Sequence, residues 1–83
     1  MQRAAAPSIN GPLEVYPYDT VEYTISGAVN GKWCLSNNRA RIVEQTNTTV
    51  KIEIITGRSG SVSLIYKTDS GEDIIQNISI LSL

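Results

Sequence analysis

Three stretches of this 83-residue chain alternate apolar and polar side chains with a period of two, and that alternation constrains the fold more than any other feature. From Asp19 to Ser26, Val21, Tyr23 and Ile25 fall on one side and Glu22, Thr24 and Ser26 on the other. "TVKIEIIT" sets Val50, Ile52 and Ile54 against Thr49, Lys51 and Glu53, and "SVSLIYK" sets Val62, Leu64 and Tyr66 against Ser61, Ser63 and Lys67. Successive strand residues point to opposite faces, so each run predicts a strand with one buried and one wet side. Ile55 and Ile65 break the parity and fall on the polar side.

Turn signals separate these runs. "PYDT" precedes the first, "GRSG" lies between the second and third, and "TDSGED" leads into "IIQNISILSL", where Ile74, Ile78 and Ile80 share a parity with Gln76. "KWCLS" and the short "RIVE" supply two further strands. Near the start, Ser8–Asn10 and Leu13–Tyr16 are expected to form a first strand, interrupted by Gly11-Pro12 in the manner of an edge strand. Residues 1–7 are expected to be a linker, because Pro7 and Asn10-Gly11-Pro12 leave "RAAAP" no room for a helical turn. No segment reads as a helix. About seven strands in series without helical crossovers predict mostly antiparallel sheets packed face to face, an all-β sandwich over residues 8–83.

"NGKWCLSNN" holds the only tryptophan beside the only cysteine. Neighbouring strand residues cannot share a face, so a core indole at Trp33, with Leu35 beside it, turns Cys34 outward. Cys34 has no partner for an intrachain disulfide, so packing must stabilise the domain. The expected core comprises Val21, Tyr23, Ile25, Trp33, Leu35, Val50, Ile52, Ile54, Val62, Leu64, Tyr66, Ile78 and Ile80.

The chain has no histidine, which removes Ser-His-Asp and Cys-His chemistry and the usual zinc, copper and haem ligand sets. A formal charge of −1 gives no electrostatic footprint for a nucleic acid, and no apolar run approaches the ~20 residues that would insert into a membrane. No enzyme activity, metal or cofactor is expected. "MQRAAAPSINGP" lacks the apolar core of a signal peptide, so export is expected to be encoded elsewhere.

The segments "INGPLEVYPYDTVEYTISG", "GKWCLSNNRARI" and "TVKIEIITGRSGSVSLIY" together resemble the immunoglobulin-like superfamily, in particular the bacterial Ig-like and PKD-like modules. The likeness rests on the Gly-Pro element, the tryptophan on the third strand followed by Ser-Asn, and the glycine turn before the next long strand. Tyr23 and Leu64 stand where an antibody-type domain carries its bridging cysteines. The resemblance implies an antiparallel immunoglobulin-like β-sandwich and a non-enzymatic module of bacterial surface proteins, adhesins, secreted carbohydrate-active enzymes or phage virion proteins. Its implied place is extracellular, on a cell surface or on a virion.

Several side chains are weighed for chemistry. Tyr16 and Tyr18, flanking Pro17, and Arg39 and Arg58, in or beside loops, are candidate ligand contacts, suited to a glycan or a host-surface protein. Asp69, Glu72 and Asp73 could offer oxygens to calcium but match no EF-hand spacing and are expected to be a solvated turn. Asp69 and Glu72 as an acid/base pair would need a cleft that so small a sandwich does not supply. A reactive Cys34 would need neighbouring cations, and the chain offers at best Lys32 and Arg41. The expected function is a structural or adhesive module contacting neighbouring domains of a larger protein. The alternative is a carbohydrate-binding module of a secreted glycoside-active enzyme, and a third reading is self-association through an edge strand such as "RIVE" or "ISILSL".

Overall fold

The structure, a computed structural model, describes residues 7–27 and 30–82. These form eight strands and no helix: β1 (Ser8–Asn10), β2 (Glu14–Val15), β3 (Thr20–Ser26), β4 (Gly31–Leu35), β5 (Ala40–Gln45), β6 (Thr49–Ile54), β7 (Gly60–Thr68) and β8 (Asp73–Ile80). They build two four-stranded sheets, one in the order β1-β3-β6-β5 and the other β2-β8-β7-β4. The chain is therefore an all-β sandwich. Every ladder is antiparallel except β2 on β8, which is parallel. The predicted linker falls outside the described residues apart from Pro7, as do Ala28 and Val29 of the loop before β4.

The expected first strand is two strands, which raises the count to eight. β1 pairs with β3 in one sheet, and β2 pairs with β8 in the other. Gly11-Pro12 therefore does more than interrupt pairing: it carries the chain across the sandwich. Tyr23 holds this crossing in place. Its ring covers Gly11 so closely that a Cβ there would lie 2.7 Å from Cε2, and its hydroxyl donates to the Pro12 carbonyl at 2.5 Å. Pro12 brings no N–H to a place where the ladder has stopped.

The alternating runs bury the faces their parity predicts. Tyr23, Ile52, Ile54, Leu64, Tyr66 and Ile78 lose all solvent contact, so Tyr23 and Leu64 fill with packing the places where the resemblance puts a disulfide. Val21 and Leu35, expected in the core, are only half-buried and pack against its margin. Val21 lies near the start of β3, and Leu35 closes the edge strand β4, where neighbours do not surround a side chain. Ile9, Val15 and Ala40 are buried although the expected core did not include them.

Trp33 is inside, with 5% of its surface exposed. It faces Tyr66 across the β4–β7 ladder, the rings meeting edge to face at 4.8 Å and 73°, a geometry worth about 0.5–1.5 kcal/mol beyond burial alone. Both rings reach the opposite sheet through their polar ends. The indole N–H donates to the Thr46 carbonyl at 3.0 Å, and the Tyr66 hydroxyl donates to the Asn47 carbonyl at 2.8 Å, in the β5–β6 turn. Buried aromatics are thus also clasps between the sheets. Burial pushes the Tyr23 hydroxyl up to about pKa 12. It raises Tyr66 as well, with the Asp69 carboxylate adding to the rise and a hydrogen bond from the Gly31 backbone opposing it.

Candidate functional site

The strand directions gather three loops at one pole of the sandwich. Residues 16–19 join β2 to β3, residues 36–39 join β4 to β5, and residues 55–59 join β6 to β7. β8 ends at the same pole, where Ile80 lies opposite Gly60 and Val15. β1 opens at the other pole, where Ser8 lies opposite Ser26.

The loops are braced into the sheets. Asp19 N–H donates to the Tyr16 carbonyl at 3.2 Å, Tyr16 N–H donates to Asp19 Oδ2 at 3.0 Å, and Ile54 N–H donates to the Asp19 carbonyl at 2.8 Å. Pro17 occupies the second position of this turn, and Tyr18 the third with a φ of 67°. A turn of this layout asks for glycine or asparagine at its third position, since a β-carbon there is crowded by about 1–2 kcal/mol. The strained residue is nonetheless a tyrosine, with 65% of its surface exposed. Its hydroxyl lies over Gly57, where a Cβ would come within 2.7 Å of it.

All four candidate ligand contacts sit at this pole, but they do different things. Tyr16 and Tyr18 are exposed. Arg58 is exposed and, among the described residues, its guanidinium makes no hydrogen bond or ion pair, while its backbone N–H is held by Thr56 Oγ1 at 3.2 Å. Arg39 is instead a clamp: its Nη1 donates to the Ser61 carbonyl at 3.0 Å beside Asn37 Nδ2, which donates to the same oxygen at 3.2 Å. The Arg39 carbonyl also accepts from Ile55 N–H at 2.9 Å, which ties two of the loops together. Exposed Ile55 joins the tyrosines there, and exposed Leu13 lies close by, its carbonyl accepting from Ser79 N–H near the end of β8. Neither residue was among the candidates. The broken parity at Ile55 was the signal available for it.

The remaining candidates lie elsewhere. Asp69, Glu72 and Asp73 are exposed at the opposite pole, in and beside a turn fastened by Thr68 Oγ1, which accepts from Glu72 N–H at 3.0 Å. Among the described residues, no three Asp, Glu or Cys side chains converge as metal ligands. Cys34 is half-buried on the outer face of its sheet, opposite Ile65. What the loop pole offers chemically is two phenol rings, the aliphatic side chains of Ile55 and Leu13 and a free guanidinium, and tyrosine and arginine are enriched where protein contacts are strongest. No family model matches the chain, and no characterised protein matches it in sequence.

Proposed function

We propose that the chain is a non-enzymatic immunoglobulin-like module, structural or adhesive, of a larger surface-exposed bacterial or phage virion protein, and that its Tyr16–Tyr18 pole is the contact surface. The strand order supports the architecture. With β1 and β2 counted as one split strand, the first, second, fifth and fourth strands share one sheet and the third, sixth and seventh share the other, the constant-type immunoglobulin arrangement.

The observation that carries the contact role is Tyr18. A bulky residue in the left-handed region costs stability and is expected where the exposed side chain is worth that cost. Contact with a neighbouring domain or a host-surface protein fits Tyr16, Tyr18, Ile55 and Arg58 together, since a protein partner uses aromatic, aliphatic and guanidinium groups at once.

The two exposed tyrosines on one turn also favour a second reading, a carbohydrate-binding module. Titrating the 15N-labelled chain with pyranose oligosaccharides to roughly 10 mM separates the two. The module reading expects no saturable shift at Tyr16, Tyr18 or Gly57. A saturable shift confined to those amides would replace it with the carbohydrate reading.

A further inference from the structure

Among the described residues most strand edges carry the devices that usually block pairing, whereas the first half of β8 carries a single charge, Asp73, at its end. β5, which contains the predicted sticky segment "RIVE", is an edge strand, but a bulge between Ile42 and Glu44 breaks its register. The ion pairs Arg41–Glu53 at 2.8 Å and Lys51–Glu44 at 3.6 Å flank that bulge. β1 has only three residues, and β4 carries Lys32. Short length, charge and bulges all discourage edge-to-edge addition. The second predicted segment, "ISILSL", is covered by β2 at Ser79 and Ile80, and Leu83 lies outside the described residues.

The first half of β8, with β1 of the other sheet lying near the strand, lacks a ladder partner on one side. β2 is two residues long and begins only at Ser79's level, so from Asp73 to Asn77 the β2 side of β8 has no ladder partner among the described residues. Ser79 and Leu81 donate their N–H groups towards β2, at 2.8 and 2.7 Å. Backbone groups alternate sides along a strand, so Asp73, Ile75 and Asn77 turn their N–H and C=O groups to this same open side. The Asn77 carbonyl receives Gln76 Nε2 at 3.0 Å and keeps a second lone pair.

An apolar row leads to this edge across the outer face. Cys34 lies opposite Ile65, and Ile65 opposite Ile75, which is 58% exposed. The edge is also self-complementary. A second copy laid antiparallel about Ile75 sets Ile75 against Ile75 and Asp73 against Asn77, so no like charges meet and the apolar row doubles in length. Ile75 with its symmetry mate, and Asp73 with Asn77, would then be the hydrogen-bonded pairs of the new ladder.

We propose that Asp73–Asn77 is a homotypic contact, through which two copies join their β2-β8-β7-β4 sheets edge to edge about a two-fold axis. The test is sedimentation equilibrium of the chain from roughly 10 μM to 1 mM, with thermal unfolding of each variant as the control for folding. The expected result is a monomer–dimer equilibrium that Ile75→Lys weakens at least about tenfold and that Val43→Lys, on the bulged edge, leaves unchanged. A second measurement uses Ile75→Cys in a Cys34→Ser background. Hydrogen-bonded antiparallel partners stand about 5.5 Å apart at Cα, within disulfide reach, so mild oxidation is expected to give a covalent dimer. A monomer at every concentration, association that survives Ile75→Lys, or failure of the Ile75→Cys variant to cross-link on oxidation would each overturn the proposal.

Discussion

Replacing Tyr23 by phenylalanine tests the anchor on which the chain's crossing between sheets depends. The ring stays and keeps covering Gly11, while the hydroxyl that donates to the Pro12 carbonyl is lost. A part-buried carbonyl left without its donor costs about 1–2 kcal/mol. For a chain of this size the melting temperature should fall by roughly 4–8 °C for each kcal/mol.

The same hydroxyl makes a second, independent demand. Its pKa in the fold is about 12 against 10 in the unfolded chain, so above pH 10 the unfolded state releases its proton while the native state retains it. Stability then falls as pH rises, by up to about 1.4 kcal/mol per pH unit, for a total of roughly 2–3 kcal/mol once pH passes through 12. Below pH 10 this contribution is fully present. Phenylalanine has nothing to titrate, so Tyr23→Phe should decline less steeply, while keeping the slope due to Tyr66, whose pKa is also raised. At about pH 11.5 the wild type should have lost about 2 kcal/mol through Tyr23, similar to the cost of the substitution, and the two stabilities should meet. Urea unfolding at pH 7, 9, 10.5 and 11.5 measures both curves. A variant as stable as wild type at pH 7, or a gap that fails to narrow above pH 10, would refute the assigned burial and hydrogen bond together.

Two further substitutions examine the interior. Gly11→Ala would drive a methyl group into the Tyr23 ring, which its own hydrogen bond keeps from moving aside, and should cost about 1–3 kcal/mol by urea unfolding. Trp33→Phe removes the N–H that serves the Thr46 carbonyl and leaves a void beside Tyr66, so a loss of roughly 2–4 kcal/mol is expected. Trp33 fluorescence in the wild type should accordingly be blue-shifted and protected from acrylamide until the chain unfolds.

Faces were legible in the sequence because alternation is local: a residue's side of the strand follows from its neighbours alone, and Tyr23, Ile52, Leu64 and Ile78 lie where parity puts them. What was not legible depends on relations between distant segments. Gly11-Pro12 announces a break, but a strand of two residues has no period from which to read its partner, so the transfer of β2 to the other sheet could not be seen. Composition singled out Tyr16, Tyr18, Arg39 and Arg58. That Arg39 spends its guanidinium on Ser61, while Arg58 keeps its own free, follows from how three separate loops meet. Tyr18 itself misleads a local reading, since turn chemistry favours glycine or asparagine at its φ of 67°.

The same distinction bears on how the two surfaces would act together. The tyrosine pole lies at the end of the sandwich where β8 finishes, whereas the open Asp73–Asn77 stretch lies along a sheet edge, starting from the opposite pole. A contact at the pole approaches along the strands, and one at the edge approaches across them, so neither occupant blocks the other. The two proposals are therefore separable by substitution. Tyr18→Gly should leave the concentration dependence of sedimentation unchanged, and Ile75→Lys should leave the amides of Tyr16, Tyr18 and Gly57 unshifted. Coupling between them would mean that a single surface, wrapping from the loops onto the edge, had been divided wrongly in two.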